Sequence, residues 1–226
     1  MPDISYQFVF RDGSSHRIDV DLERGATAAP APEWTRLEFR RCPNCPLPAE
    51  AGARCPPAVD LAPVVGAFAK MISHEQAQVL VHTPQRVVGR DCQVQDALSS
   101  VVALIMATSL CPILGRMRGL ARTHLPFSTM EESLVRVAGA YLLGQLLVQR
   151  EGGEPDWTLE GLKAHYAQLE VLNKAFKKRI DAAAVQDATL NAVSALGVLS
   201  MGVGLSVDDQ LAELAAYTVP GERPFR

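Results

Sequence analysis

The sequence predicts an α+β protein, in which a small antiparallel β-sheet with one helix packs on a C-terminal helical bundle. Apolar and polar residues alternate along much of the first 40 residues, as they do in half-buried strands. Beyond residue 91 the apolar spacing becomes helical, and proline and capping residues punctuate it. We therefore expect a β-rich region with a cysteine knuckle at 1–91, a helical bundle at 92–218 and a tail at 219–226.

The N-terminal region is predicted to hold five strands and one helix. Residues 4–10 alternate well, residues 11–15 supply a turn, and residues 18–22 alternate again. A third strand at 34–39 would deliver the chain directly into Cys42. The remaining elements are a helix at 58–72 and two strands, at 78–83 and 86–90, that pair across Pro84.

Helices account for nearly all of the remaining chain. An apolar helix at 93–110 stops at Cys111-Pro112, because proline cannot continue the hydrogen-bond ladder. Ser128 and Glu131 have the spacing of a capping box, which predicts a helix at 129–149. Further helices are predicted at 113–123, from Thr158 onward, at 187–201 and at 208–217.

Composition excludes several classes of protein. The 226 residues are 48% hydrophobic and 21% charged with a net charge of −3, which argues against a disordered chain and against a strongly basic nucleic-acid binder. The N-terminal residues lack the basic and apolar regions of a secretory signal. Five cysteines are an odd number, and disulfide-dense scaffolds are usually smaller secreted chains. We expect reduced thiols and a cytoplasmic protein.

Two charge-free runs, at 97–115 and 188–207, approach the length that spans a bilayer. Both contain several Ser or Thr residues, and neither is flanked by aromatic belts or a strong Lys/Arg asymmetry. A helix that is apolar on all sides also suits a protein interior. We therefore expect two core helices and no membrane association.

Four of the five cysteines are followed directly by proline, namely Cys42, Cys45, Cys55 and Cys111. Proline biases the preceding residue toward an extended backbone, so each of these thiols is presented in a similar way. Three of them form a compact Cys42-x2-Cys45-x9-Cys55 group, and Cys111 arrives from much further along the chain. Four thiolates around one tetrahedral ion form a common structural zinc site. The sequence therefore predicts a zinc centre with four cysteine ligands.

Two alternatives to zinc stay open. Proline follows Cys45 where common zinc knuckles favour glycine, and iron–sulfur clusters also use thiolate ligands that precede proline. The cysteines could instead be small buried hydrophobic residues. If a histidine replaces one thiol, the nearest candidates are His74, His82 and His124. Cys92 lacks a following proline and is expected to be an unligated, semi-buried residue.

Other polar residues favour structural roles. Glu131 is expected to be the capping-box partner, and Glu132 and Arg136 have the i,i+4 spacing of a surface ion pair. No Glu-x-x-His motifs indicate a di-iron site. Four polar residues in apolar surroundings are expected to form an internal network rather than a ligand pocket: Asn173, Arg179, Asp187 and Asn191.

Several of these motifs, taken together, resemble an uncharacterised bacterial family. They are Cys42-Pro-Asn-Cys45-Pro-Leu, Cys55-Pro-Pro-Ala-Val, Met106-Ala-Thr-Ser-Leu-Cys111-Pro, His124-Leu-Pro-Phe-Ser-Thr-Met-Glu-Glu132 and Asp187-Ala-Thr-Leu-Asn-Ala192. The resemblance covers nearly the whole chain and implies a bacterial origin and a common fold, but no reaction. Leu110 stands where the family pattern has a glycine before Cys-Pro.

These observations favour a cytoplasmic, zinc-stabilised binding or regulatory protein with a protein partner and no nucleic acid. An iron–sulfur redox or sensory protein is the first alternative. An enzyme with a site in the helical bundle, around His124, Glu131 and Arg136, is the second, although no catalytic signature stands out.

Overall fold

The structure is a computed structural model that describes residues 2–25, 31–183 and 193. It confirms the α+β class, with a four-stranded antiparallel sheet, one helix between its second and third strands, and further helices after the fourth strand. The strands are β1 (Ile4–Phe10), β2 (Ser15–Val20), β3 (Gln76–His82) and β4 (Val87–Gln93). The α-helices are α1 (Pro56–Ala67), α2 (Val94–Ala107), α3 (Arg118–Ala121), α4 (Met130–Arg150) and α5 (Glu160–Asp181).

The sheet has the strand order β2-β1-β3-β4, with each neighbouring pair antiparallel. Strand β1 is central, pairing Tyr6 with Ile18 on one side and with Val81 on the other. Its alternate residues Tyr6 and Phe8 have no exposed surface, as the period-two pattern requires. The sheet therefore buries one face against the core, and β3 and β4 pair across Pro84 as predicted.

The predicted third strand at 34–39 is wrong. Glu33–Thr35 is a 3₁₀ helix, and only Arg36 forms an isolated bridge, to Arg54. The Thr35 hydroxyl and backbone N–H both donate to the carbonyl of Pro32, at 2.7 and 3.0 Å. Such local bonds compete with a strand ladder, because they hold the backbone in a turn.

The helices largely follow the prediction, with earlier ends. Helix α1 ends at Ala67, and α2 ends at Ala107 rather than at residue 110. The hydroxyl of Thr108 donates to the carbonyl of Leu104 at 2.9 Å, so the chain leaves the helix before it reaches Cys111. Residues 113–123 form a 3₁₀ turn at Leu114–Met117 and the short helix α3.

The predicted capping box of α4 is displaced by one residue. Thr129, not Ser128, is the N-cap, and its side chain accepts from the N–H of Glu132 at 3.1 Å. The Glu132 carboxylate in turn accepts from the N–H of Thr129 at 2.8 Å. The helix at 129–149 is confirmed as α4, but Glu131 is not the capping partner.

The described chain divides into two compact units. One contains the described residues up to Phe127 together with the part of α5 from Gln168 onward, and the other contains Ser128–Ala167. Cys111 thus belongs to the same unit as Cys42, Cys45 and Cys55. No helix within the described ranges is both long and apolar enough to cross a bilayer. The run at 188–207 and the predicted helices at 187–201 and 208–217 lie outside those ranges.

Candidate metal centre

Cys42 and Cys45 lie in a tight turn after the 3₁₀ helix. The N–H of Cys45 donates to the carbonyl of Cys42 at 3.1 Å, which closes the two-residue knuckle. The preceding Arg40 has a left-handed backbone, with φ at +49°. The Arg41 side chain then donates to the carbonyls of Cys45 and Leu47, at 3.3 and 2.5 Å. Hydrogen bonds to backbone carbonyls therefore stabilise the turn in this segment.

Cys55 is the N-cap of α1 and is 7% exposed. Its N–H donates to the carbonyl of Thr35 at 2.8 Å, which ties the start of the helix to the 3₁₀ turn. Prolines occupy the first helical positions, where the missing N–H costs nothing and the fixed φ suits a helix. The Cys-Pro motif here therefore marks a helix start.

Cys111 follows the end of α2 and is 8% exposed. Its N–H donates to the Ser109 hydroxyl at 3.4 Å, and its carbonyl accepts from the N–H of Gly115 at 2.7 Å. Burial raises the pKa of its thiol, and the backbone N–H groups of Leu114 and Ile113, which donate to the sulfur, oppose that shift. Cys111-Pro112 thus begins a new turn after the helix.

The four Cys-Pro cysteines lie within one compact unit. Burial is the largest cause of the pKa shifts of Cys42 and Cys55: it raises the pKa of Cys42 to about 12 and that of Cys55 to about 11. The positive charge of Arg179 opposes both shifts. Negative charge on Cys45, Cys55 or Cys111 also raises the pKa of Cys42, that on Cys45 or Cys111 raises the pKa of Cys55, and that on Cys45 raises the pKa of Cys111.

Arg179 on α5 is the residue near the thiols whose position the sequence did not predict. Its side chain is 1% exposed, and Nη1 donates to the carbonyls of Trp34 and Arg36 at 2.8 and 2.7 Å. Nη2 donates to the carbonyl of Leu37 at 3.2 Å, and Cζ lies 5.9 Å from the centre of the Phe39 ring. The available signal was its position three residues after Phe176, on the buried side of the helix.

Helix α5 also contacts the knuckle directly. The Cys42 thiol donates to the carbonyl of Leu172 across 4.0 Å, and the Asn44 side chain donates to the carbonyl of Gln168 at 2.9 Å. A helix from late in the chain therefore lies against a loop from its beginning. This packing brings Arg179 close enough for its charge to lower the pKa of the Cys42 and Cys55 thiols.

The thiols do not form a ready-made ligand set. Within residues 2–25, 31–183 and 193, no group of three or more His, Cys, Asp or Glu side chains is arranged to hold a metal ion. His74 is exposed after α1, and His82 ends β3. His124 Nε2 lies 2.5 Å from the Tyr6 hydroxyl.

Cys92 differs from the other four cysteines. It is 6% exposed near the end of β4, and burial raises the pKa of its thiol, with a further increase from Asp96 and an opposing effect of Arg90. No other thiol is among these causes within the described residues. Its structural surroundings are therefore separate from those of the four Cys-Pro thiols.

The residues of the alternative enzyme site have other contacts. The Tyr6 hydroxyl lies 2.8 Å from Ser100 Oγ as well as beside His124, and burial raises the pKa of Tyr6 above its usual range. Glu131 is exposed in the first turn of α4, and burial lowers the pKa of Arg136. Of the predicted internal network, Asn173 is 6% exposed, while Asp187 and Asn191 lie outside the described residues.

Comparison with known proteins assigns most of the chain to a protein family. A family model described as a domain of unknown function, DUF6901, matches residues 4–218. No curated protein and no solved structure matches the chain.

Proposed function

Because the chain belongs to the DUF6901 family, whose function is unknown, we propose its role from its thiols: Cys42, Cys45, Cys55 and Cys111 bind one structural zinc ion. The observation that carries this proposal is that negative charge on Cys45, Cys55 or Cys111 raises the pKa of Cys42, and negative charge on Cys45 or Cys111 raises the pKa of Cys55. Their shared Cys-Pro context supports it independently, since Cys92 has neither property.

The chemistry of the surroundings suits thiolate ligands. Zinc binds the deprotonated sulfur, so it must displace protons from groups whose pKa burial has raised. The charge of Arg179 favours the thiolates of Cys42 and Cys55, and the N–H of Ala58, which donates to the Cys55 carbonyl at 3.0 Å, also lowers the pKa of the Cys55 thiol. Hydrogen bonds to the charged form of a group stabilise that form. These groups therefore offset part of the cost of holding charged sulfurs in a buried site.

Zinc binding requires the four side chains to turn toward a common centre, because the described residues present no finished ligand set. When bound, the ion would contribute free energy of folding and carry out no reaction. It would join the knuckle, the start of α1 and the chain after α2, all within one compact unit. The ion would thus replace core packing in a loop-rich part of the fold.

Metal analysis of freshly purified protein tests the proposal. We expect about one zinc per chain, and Cys111→Ser should weaken zinc binding by more than about a hundredfold, the upper range for substitutions in an outer shell. Chelator should lower the melting temperature of the native protein but hardly that of the variant. Cys92→Ser is the matched control and should keep both metal and stability. Metal-free protein with a melt that chelator leaves unchanged would sink the proposal.

An iron–sulfur cluster on the same four cysteines is the alternative. It is supported by proline after each thiol, since cluster ligands also precede proline. Colour separates the two, because a cluster absorbs visible light and zinc does not. Anaerobic purification followed by a visible spectrum and an iron assay therefore decides between them.

The biological role that we propose is binding or regulation through a protein partner in the cytoplasm. Support comes from free thiols at all five cysteines and from a net charge of −3, which does not favour nucleic acid. Crosslinking in the native cell followed by identification of the captured chain tests this role. A crosslinked membrane lipid or RNA in place of a protein would overturn it.

A further inference from the structure

A cleft lined by arginines lies in the same compact unit as the thiols. Its volume is about 320 Å³, and its walls are formed by Leu22, Glu23, Arg24, Arg118 and Arg122. This volume lies at the lower end of the range for small-molecule sites, about 300–1,000 Å³. Three guanidinium groups and one carboxylate, that of Glu23, line this cleft.

Two of these arginines are anchored at the C-terminal end of α2. Arg24 donates through Nη2 to the carbonyl of Ile105 at 3.2 Å and to the hydroxyl of Thr108. Arg118 donates through Nη2 to the carbonyl of Ser109 at 3.0 Å. A guanidinium carries five N–H donors, so these bonds position both groups without exhausting them.

The donors of Arg24 are incompletely used. Its Nε is buried and has no hydrogen-bond partner in the described part of the chain. Burial lowers the pKa of this guanidinium, Asp60 and Asp21 oppose that shift, and the like charge of Arg118 adds to it. A buried donor without a partner is destabilising, so an acceptor at this position would be favourable.

Arg122 completes the set from the rim of the cleft. It forms an ion pair with Glu23, and the side chains of the two residues are 68% and 73% exposed. Exposed pairs of this kind are weak, because solvent screens the two charges. An incoming anion can therefore compete with Glu23 for Arg122 at little cost.

We propose that this cleft binds the phosphate group of a small molecule. Arg24 and Arg118 donate hydrogen bonds to phosphate oxygens from the inner wall. Arg122 breaks its ion pair with Glu23 and donates to the phosphate from the rim. Arginine suits this task because its planar fork matches phosphate geometry and keeps its charge. Leu22 offers apolar contact to the rest of the ligand, and Glu23 offers an acceptor for a ligand hydroxyl. This site is independent of the thiols.

Calorimetric titration of the purified protein with inorganic phosphate and with glycerol 3-phosphate, at constant ionic strength, tests the proposal. Both should bind, and Arg122→Gln should weaken binding about tenfold through loss of a charge-assisted hydrogen bond. Glu23→Gln should strengthen binding, because it removes the competitor for Arg122. Arg17→Gln is the matched control: Arg17 is also exposed and paired with an acid, Asp19, and should leave binding unchanged.

The comparison of Arg122→Gln with Arg17→Gln, which remove the same charge from different places, separates a specific site from general attraction to positive charge. Equal weakening by Arg122→Gln and Arg17→Gln, or no heat with either probe, would overturn the proposal. Circular dichroism of each variant checks that the fold is retained, and both rim residues are exposed enough to expect it. Co-sedimentation with vesicles of phosphatidylcholine and phosphatidic acid, without binding of either soluble probe, would assign the arginines to a lipid headgroup and refute a small-molecule ligand.

Discussion

Arg179 is a buried cation whose positive charge is balanced by backbone carbonyls. It donates to the carbonyls of Trp34, Arg36 and Leu37, and its side chain is 1% exposed. Those carbonyls belong to a segment without regular sheet or α-helix pairing, so they need donors from elsewhere. The Arg179 side chain thus donates to three carbonyls of this segment. Its charge also lowers the pKa of the Cys42 and Cys55 thiols.

Arg179→Met should destabilise the protein by about 3 kcal/mol, because it leaves buried carbonyls without their donor. Urea unfolding measures the change in free energy. Lys178→Met, on the exposed side of the same helix, is the control and should stay within about 0.5 kcal/mol. Two equal, small effects would show that the carbonyls find other donors.

At the scale of single elements, the start of α4 offers a sharp test of register. Thr129 and Glu132 exchange hydrogen bonds there, and the neighbouring Glu131 is equally exposed but lies outside the box. Thr129→Ala should cost about 1 kcal/mol, the usual loss for an N-cap. Glu132→Ala should cost more than Glu131→Ala. Thermal melts of the three variants decide the matter, and the reverse order for the glutamates would place the cap at Ser128.

The sequence predicted elements well where one face is clearly buried. β1 follows its alternating pattern over Ile4–Phe10, and α4 follows its helical spacing. It failed at residues 34–39, where apolar alternation was present but side-chain bonds to Pro32 formed a turn. Ser128 and Thr129 are both good caps, so residue type alone could not fix the register.

The candidate site was predictable only in part. Proline after each cysteine selected four thiols of one compact unit, and their assignment to a single metal ion stays a prediction. Arg179 could not be assigned to them, because its partners are main-chain carbonyls of an irregular segment and carry no residue signature. The arginine cleft was missed for a similar reason: its side chains come from separate segments, around Arg24 and Arg118.

At the scale of the whole molecule, the thiols make the stability of the metal-free protein dependent on pH. Burial raises the pKa of Cys42 from 9.0 to about 12 and that of Cys55 from 9.0 to about 11. The unfolded chain therefore loses these protons first as the pH rises. The contribution of the neutral thiols to stability is complete below pH 9 and is lost as the pH approaches 11 to 12.

After chelator treatment, the free energy of unfolding should consequently fall as the pH is raised above 9. The double variant Cys42→Ala, Cys55→Ala should have a flatter curve over the same range. The difference between the two curves isolates the thiols from Tyr6 and Tyr166, whose pKa values burial also raises. Parallel curves would mean that the thiols titrate alike in the folded and unfolded chains.

The hydrogen bonds between Arg179 and the turn at 34–37 can form only after most of the chain has been synthesised. The partners are separated by 142 to 145 residues, so the turn emerges from the ribosome long before its donor is made. At a synthesis rate of about 5–20 residues per second, that interval lasts on the order of 10 s. Throughout it, the knuckle thiols lack the helix that later lies against them. The knuckle loop is therefore synthesised early but reaches its native contacts late. Until α5 packs against it, its thiols are accessible to a metal ion or an oxidant.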